Sequence, residues 1–158
     1  MPLKTLESDN VSNYLSMMRD FRLKSLNSKL VYPCFEDLVL TYGKPYKELM
    51  PRPKWVRKGI IKQCYHNCLK ALIKHPDKLI YCEGFALGII PVMHAWLLYE
   101  GKVIDPTWEN GQEYFGIAFK TDYVFRIAKE TGYSGVIDNW HQRFPLLTGE
   151  DKPEEFLL

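Results

Sequence analysis

The sequence predicts an α+β fold, because helical patterns come first along the chain, short strand patterns follow, and one more helical pattern comes after the strands. Strands that alternated with long helices would instead have indicated a parallel sheet. The 158 residues suit one domain (1–158) with a sizeable core. We divide this domain into a helical N-terminal part (1–50), a core (55–120), and a C-terminal helix with a tail (121–158).

Two helices are predicted in the N-terminal part. Ser8 or Asp9 can cap a first helix that runs to about Leu26, and a second helix over 35–42 stops at Gly43. The stretch GKPYKELMPRPKW follows, with three prolines in thirteen residues. This proline content predicts an ordered connector over the surface.

A third helix is predicted over 60–74, since apolar residues recur at spacings of three and four and Pro76 follows. The apolar stripe comprises Ile61, Tyr65, Cys68, Leu69, Leu72 and Ile73. Cys68 lies inside this stripe and is expected to be a core residue. Cys64 lies at the margin of the stripe and is therefore easier to reach from solvent.

After the third helix the pattern changes to that of an antiparallel sheet. Four short segments are rich in β-branched and aromatic residues and are separated by Gly or Pro: Leu79–Leu87, Val92–Tyr99, Lys102–Asp105 and Glu113–Phe119. Thr121 or Asp122 then caps a helix over 123–130, which Gly132 closes. The tail from Ser134 is predicted to be irregular, and its last residues to fray.

A hairpin is predicted between the second and third strands, with Glu100-Gly101 at its tip. With this pair at the centre of the turn, His94 and Asp105 become diagonal neighbours on one face of the sheet. A slip of one residue would move Asp105 to the opposite face. Each residue also has a plainer interpretation: a strand histidine is usually packed and hydrogen-bonded, and an aspartate before proline often caps the next residues, here Thr107 or Trp108.

Cys64 is the candidate nucleophile. Near the start of a helix, unpaired backbone N–H groups and the helix dipole favour an anion, and the thiolate is the nucleophilic form of cysteine. His66 cannot be its base, because residues two apart on a helix point in different directions. His94 is the best candidate base, and Asp105 could fix its tautomer, which gives a Cys-His-Asp triad. A helix that began at Pro53 would instead place Cys64 in mid-helix.

Together these residues resemble the core of the transglutaminase-like branch of the papain-like cysteine enzymes. QCY at 63–65 resembles that branch's Gly-Gln-Cys-Trp opening of the nucleophile helix, while HAW at 94–96 and DPTW at 105–108 resemble its His-x-Trp and Asp-Pro-Thr segments. The order Cys, His, Asp also agrees. This chain departs from the pattern at Lys62, where the family has glycine, and at the polar residues 66–67, where relatives usually have apolar ones.

The resemblance implies a nucleophile-bearing helix packed on a small antiparallel sheet, and acyl transfer from an amide. In that reading Cys64 is the nucleophile, His94 the base and then the acid, and Asp105 the orienting carboxylate. The Cys64 backbone N–H would supply one oxyanion donor, with Gln63 or Trp55 as a second. Water as the acceptor makes a peptidase, amidase or deamidase, which we favour over an amine-transferring transglutaminase.

Three further candidates for substrate contact lie in the sheet region. Two of them, Trp96 and Trp108, are expected to be mostly core, as is Tyr114, although Trp108 could line a groove next to Asp105. Glu83, in the first of the four strand segments, is the third candidate for substrate contact. A partly exposed strand carboxylate is the favoured interpretation of Glu83.

Two other classes of function stay open. One is a zinc-binding module that uses Cys64 and Cys68 with His66 or His94, although the usual closed sites pair two short metal-binding turns and a second such turn is missing. The other is a non-catalytic peptide- or protein-binding module that keeps the same scaffold. We predict no cofactor and no metal.

Bulk properties favour a cytoplasmic protein that acts on a peptide or protein amide. The N-terminus lacks the apolar core of a secretion signal, and the longest apolar run, FALGIIPVM, is too short to cross a bilayer. The four cysteines are expected to be free thiols, metal ligands or a nucleophile. The net charge is +2, and the densest basic run, RPKWVRKGIIK, favours a solvated face over a nucleic-acid patch.

Overall fold

The computed structural model describes residues 10–25, 30–132 and 135–158, which form an α+β fold as predicted. Its elements are α1 (Asn10–Ser25), α2 (Phe35–Tyr42), β1 (Lys44–Tyr46), α3 (Cys64–Lys74), β2 (Leu79–Leu87), β3 (Pro91–Tyr99), β4 (Lys102–Ile104), β5 (Glu113–Phe119), α4 (Thr121–Thr131), α5 (Pro145–Thr148) and α6 (Pro153–Phe156). The predicted caps Ser8 and Asp9 and the predicted end at Leu26 lie outside the described residues. Within the described residues, no helix has the length and apolar character needed to cross a membrane.

The five strands form one antiparallel sheet in the order β1-β5-β2-β3-β4. The predicted bounds of β2 and β5 are confirmed at both ends, and those of β3 and β4 are each correct to within one residue. Strand β1 was not predicted, because its three residues lie in the stretch interpreted as a surface connector. Pro45 suits this place, since β1 is an edge strand and tolerates a residue without an N–H.

The turn between β3 and β4 fixes the register on which the site depends. Glu100 and Gly101 both have positive φ, at 50° and 78°, as the two central residues of a type I′ turn require. Leu97 pairs with Ile104 and Tyr99 with Lys102, so the predicted hairpin is confirmed. Asp105 follows directly on the last paired residue of β4 and therefore lies at the end of the ladder.

The sheet has a large core on one face and a smaller cluster on the other. Helices α1, α2, α3 and α4 pack against the strands, and their buried side chains join alternate strand residues in the main core. Representative members of this core are Leu15, Leu38, Cys68, Leu72, Leu97 and Ile127. The smaller cluster is built on Cys82, Trp96 and Tyr114. Helix α3 thus lies on the main-core side, with its first turn close to the end of β4.

The C-terminal tail is packed, so the prediction that its last residues fray was wrong, whereas its described part is mostly irregular, as predicted, apart from the short helices α5 and α6 and one short turn of 3-10 helix. Ile137 and Leu146 are fully buried in the main core. Leu157 forms a β-bridge with Phe119, and the Leu158 N–H donates to the Ala118 carbonyl at 3.0 Å. Local sequence pattern did not reveal these contacts, because they are made with the sheet rather than within the tail.

Candidate active site

Helix α3 begins at Cys64, four residues later than predicted, so the thiol occupies the first helical position. Lys62 has a φ of 66° and Gln63 is the N-cap residue, whose side chain makes no capping hydrogen bond. At this position the backbone N–H of Cys64 has no partner within the helix, and the helix dipole is most positive. The structure therefore places Cys64 where an anion is stabilised, and the alternative of a mid-helix Cys64 is wrong.

Asn67 holds the start of α3 against the two segments that flank it. Its Nδ2 donates to the Ile60 carbonyl at 2.8 Å and to Thr107 Oγ1 at 2.9 Å, and its Oδ1 accepts from the Ile60 N–H at 3.0 Å. The Gly59 N–H donates to the Pro106 carbonyl at 2.7 Å, and a Cβ at Gly59 would overlap the Asn67 side chain. The loop before α3, the helix and the segment after β4 are thus joined by one buried amide.

Replacing Asn67 by alanine is expected to lower the free energy of unfolding by about 2 kcal/mol, because three hydrogen bonds of a buried side chain are lost. Urea denaturation followed by circular dichroism measures this change. His66→Ala is the matched control, since His66 is the exposed neighbour on the same helix and its loss is expected to cost less than about 0.5 kcal/mol. Equal stability of the two variants would contradict the role of Asn67.

His94 and Asp105 form a buried hydrogen-bonded pair. His94 Nε2 donates to Asp105 Oδ2 at 2.7 Å, and both residues have relative exposures below 10%. The indole of Trp108 stacks on the imidazole with a centroid separation of 3.9 Å and an interplanar angle of 17°. The carboxylate and the indole therefore fix both the tautomer and the plane of the imidazole ring.

Asp105 serves both of the roles that its sequence context allows. Its Oδ1 accepts from the backbone N–H groups of Thr107 and Trp108, each at 2.9 Å. Its Oδ2 accepts from His94 and from the hydroxyl of Tyr114, each at 2.7 Å. The capping interpretation is thus correct, and the other oxygen of the same carboxylate still orients the imidazole.

Cys64 lies close enough to His94 for the thiol to contribute, with Asp105, to the raised pKa of the imidazole. Because Asp105 occupies Nε2, the nitrogen that remains for the thiol is Nδ1. The predicted nucleophile, base and carboxylate are therefore brought together in the predicted order. Their catalytic roles stay predictions.

The electrostatics of the site favour a protonated imidazole beside the thiol. Burial lowers the pKa of His94, but hydrogen bonds and charge attraction from Asp105 and Cys64 outweigh it and raise that pKa to about 9. Burial raises the pKa of the Asp105 carboxyl, yet the interactions with His94, the Trp108 amide and Tyr114 prevail and lower it. An imidazolium held by a carboxylate is the charge state that a general acid beside a cysteine nucleophile needs.

The other three cysteines are unsuited to nucleophilic chemistry. Cys34, Cys68 and Cys82 are all buried, whereas Cys64 is half-buried. Burial raises the pKa of each of the three buried thiols, and that of Cys68 lies well above its usual value. The predicted contrast between a core Cys68 and a reachable Cys64 is confirmed.

A cavity of about 400 Å³ lies on the Asp105 side of the His94–Asp105 pair. Its lining includes Asp105, Trp108 and Tyr114. Arg52 and Lys58 lie at its wall, and Lys58 forms an exposed ion pair with Glu109 at 2.7 Å. Cys64 is not among the residues that line this cavity. The cavity therefore gives access to the carboxylate side of the imidazole rather than to the thiol.

Two of the predicted substrate-contacting residues lie away from the thiol. The Trp55 indole packs against His75 and Tyr99 with centroid separations of 4.8 and 5.1 Å. Since His75 caps the far end of α3, roughly 16 Å along the helix from Cys64, the proposal of Trp55 as an oxyanion donor is wrong. Trp96 is fully buried in the smaller cluster, so it is a core residue and not a substrate contact.

Glu83 is neither exposed nor a substrate contact, which corrects both interpretations of this residue. It is completely buried, and its carboxylate accepts from the Tyr81 hydroxyl at 2.6 Å and from three successive backbone N–H groups of the tail, at 136–138, at 2.7 to 2.8 Å. Burial raises its pKa to about 7, although the hydrogen bonds act in the opposite direction. Glu83 is therefore the residue that attaches the tail to the sheet.

Sequence reasoning missed two residues that shape the site. Tyr114, interpreted as core, donates to Asp105, and finding it required the register between β2 and β5 rather than a local motif. Asn67 was noted only as a departure from the resembled family. The signal for Asn67 was a polar residue next to the apolar stripe of a helix. Such a residue is partly buried, and a buried amide must find hydrogen-bond partners.

The zinc alternative finds no site in the part of the chain that the structure describes. There, no three His, Cys, Asp or Glu side chains are grouped so that they could hold a metal ion. Cys68, which that alternative pairs with Cys64, is sealed in the main core.

Comparison with known proteins gave no relative for this chain. No protein-family model, no curated protein and no solved structure matches it. The assignment of a function therefore depends on the geometry of the site and on the resemblance of its motifs.

Proposed function

We propose that the protein is a cysteine-dependent hydrolase of amides, a peptidase, amidase or deamidase, built on a papain-like core of the transglutaminase-like type. The observation that carries the proposal is the row of neighbouring side chains in which Cys64, at the start of α3, lies beside His94, and His94 donates to Asp105 at 2.7 Å. The other cysteines are buried, and this one is reachable.

In the proposed reaction, Cys64 Sγ forms a bond to the carbonyl carbon of the amide while His94 Nδ1 carries the thiol proton. The negative charge on the carbonyl oxygen is stabilised by the backbone N–H of Cys64 and by the side-chain amide of Gln63, which is exposed beside the thiol. Collapse of this intermediate breaks the carbon–nitrogen bond, and His94 gives its proton to the leaving amine. A thioester with Cys64 remains.

Water then resolves the thioester. His94, now neutral at Nδ1, accepts a proton from water as the water oxygen bonds to the carbonyl carbon. The carbon–sulfur bond then breaks, which releases the acid product and returns the sulfur of Cys64 and the protonated His94 to their starting state. Asp105 stays ionised throughout and stabilises the imidazolium at each stage. We assign water as the acceptor because it needs no second binding site, whereas an amine acceptor would.

The conformation of Lys62 supports the proposed core. Its φ of 66° is a left-handed backbone conformation that glycine adopts easily and other residues adopt at a cost of about 1 kcal/mol or more. The resembled family has a glycine at this position, two residues before the nucleophile. A left-handed turn at Lys62 therefore delivers Cys64 to the helix start in this chain, and glycine would adopt that turn more easily.

Alkylation by iodoacetamide at neutral pH, followed by intact mass, tests the proposal. We expect one rapid adduct on the native protein, its loss in Cys64→Ala, and its retention in Cys68→Ala, because the Cys68 thiol is buried. A fluoromethyl ketone linked to a peptide is expected to give the same pattern. Equal slow labelling of both thiols would show that Cys64 is not activated and would leave only a non-catalytic scaffold.

A further inference from the structure

A groove runs along the outer side of α3, and we call it the α3 groove. It has a volume of about 380 Å³ and lies between the helix and the loop segment 55–60. Among the residues that line it are Trp55, Arg57, Ile60, Lys70, Ile73 and Lys74. The loop is held in place by Asn67, so the groove has a defined shape.

The α3 groove carries a concentration of positive charge. Residues 52–78 contain eight of the 21 Lys and Arg residues of the chain and one of its 19 Asp and Glu residues. Because the loop folds back onto α3, Arg57, Lys70 and Lys74 face the same groove, and all three are exposed. Of these eight basic residues, Arg57, Lys58, Lys70 and Lys74 line the groove, and its lining residues include no Asp or Glu, so the groove is positively charged.

Large apolar side chains are interleaved with these charges. Ile60 and Ile73, which both line the groove, are 56% and 59% exposed. Trp55 is held rigidly by its contacts with His75 and Tyr99, and the Lys78 ammonium lies 5.3 Å from the centre of its ring. An anchored tryptophan beside basic residues is typical of the energetically important centre of a protein interface.

The groove ends close to the thiol. Asn67 lines it and lies one helical turn from Cys64. The eleven residues of α3 span about 16 Å, which matches roughly five residues of extended chain. A peptide seated along the helix would therefore bring its next residues to the start of α3.

We propose that the α3 groove binds a segment of a protein substrate that combines acidic with aliphatic side chains, and that it guides the adjoining amide to Cys64. This inference rests on the proposed hydrolase activity. The positive charge favours an acidic segment, and the exposed isoleucines favour a peptide over a nucleic acid, whose interfaces are more polar. The concave shape favours a narrow chain over a flat lipid surface.

Fluorescence anisotropy with labelled peptides tests this inference on the full-length Cys64→Ala variant. The probe is a fluorescein-labelled peptide of about ten residues in which Glu alternates with Leu, compared with a peptide that has Gln in place of each Glu. We expect the acidic peptide to bind at least tenfold more tightly than the neutral one, and the difference to shrink as salt screens the charges. Equal affinity for the two peptides would overturn the inference.

Charge reversal locates the binding. The double variant Lys70→Glu/Lys74→Glu is expected to bind the acidic peptide at least tenfold more weakly, whereas Lys129→Glu, at an exposed lysine in the last turn of α4, is expected to bind it unchanged. If the double reversal fails to fold by circular dichroism, Lys70→Gln/Lys74→Gln replaces it, with an expected weakening of at least threefold. If the folded groove variant bound the acidic peptide with unchanged affinity, the groove would be excluded as the binding site.

Two other occupants are tested in the same way. Tighter binding of fluorescein-labelled oligothymidylate, or of vesicles containing phosphatidylserine, than of the acidic peptide would overturn the inference in favour of a nucleic acid or a membrane. Because Cys64→Ala cannot react, these results do not depend on the chemistry of the thiol. Failure of the groove and failure of the hydrolase proposal, which iodoacetamide labelling reports, are therefore distinguishable.

Discussion

Replacing Asp105 by asparagine is expected to lower kcat/KM for amide hydrolysis by roughly 10⁴-fold, the size of the loss when the aspartate of a hydrolase triad is made an amide. The cause lies in the four donors around the carboxylate. Backbone N–H groups of Thr107 and Trp108 point at Oδ1 and cannot turn away, so the new amide oxygen must stay there. The new NH₂ group then faces His94 Nε2 and forces the imidazole into the tautomer whose Nδ1 carries a hydrogen and cannot accept the thiol proton.

The pH profile separates this effect from a general loss of structure. In the native protein the pKa of His94 is raised to about 9, so the imidazolium that protonates the leaving amine is present below about pH 9 and is lost above it. The alkaline limb of kcat/KM is therefore expected near pH 9. In Asp105→Asn this limb is expected at lower pH, because the negative charge that raises the pKa is gone.

Tyr114→Phe is the matched control for Asp105→Asn. This variant keeps the ring and the carboxylate and removes only the hydroxyl that donates to Asp105 Oδ2. We expect less than a tenfold loss of kcat/KM, since the charge that orients and stabilises the imidazolium remains. If Asp105→Asn were as active as Tyr114→Phe, the carboxylate would have no part in catalysis.

The placement of His94 and Asp105 on the same face of the sheet could be predicted from sequence, because local rules determine it. The Glu100-Gly101 turn needs two residues with positive φ, which fixes the hairpin, and strand alternation then places Asp105 on the face of His94. The strand bounds of β2 and β5 were predictable for the same reason. Turn chemistry and alternation act over a few residues and need no knowledge of the rest of the fold.

The residue at which α3 begins could not be predicted from sequence, because contacts with residues distant in sequence determine it. The apolar stripe predicted Ile61 as a core residue, yet Ile61 is largely exposed and the helix begins only at Cys64. The loop before the helix is held by Asn67 and by the hydrogen bond from Gly59 to Pro106. A periodicity argument cannot detect a boundary that is set by a segment some forty residues further along the chain.

The tail was mispredicted because its partner is a single buried carboxylate. Glu83 accepts hydrogen bonds from backbone N–H groups, which every residue except proline possesses. The sequence of the tail therefore contains no side-chain motif from which this contact could be predicted. The position of the tail matters for the site, since the Tyr65 hydroxyl, one residue after the nucleophile, donates to Asp138 at 3.4 Å. Glu83 thus connects the sheet, the tail and the first turn of α3.

Replacing Glu83 by glutamine is expected to lower the free energy of unfolding by about 3 kcal/mol or more at pH 8, where the carboxylate is ionised. The carboxylate accepts four hydrogen bonds, three of them from backbone N–H groups at 136–138 that cannot change direction. The NH₂ group of glutamine would face at least one of these donors in a fully buried place, whichever way the amide turns. Urea denaturation measures the change, and the segment 135–158 is expected to become more sensitive to proteolysis.

Glu109→Gln is the matched control for Glu83→Gln, because it makes the same chemical change at an exposed residue whose only described charge partner at close range is Lys58. Its expected effect on the free energy of unfolding is far smaller than that of Glu83→Gln, because solvent screens an exposed ion pair. If Glu83→Gln lowered the free energy of unfolding as little as Glu109→Gln, the tail would be held by its apolar contacts alone. In that case Ile137 and Leu146, rather than the carboxylate, would keep Asp138 beside Tyr65.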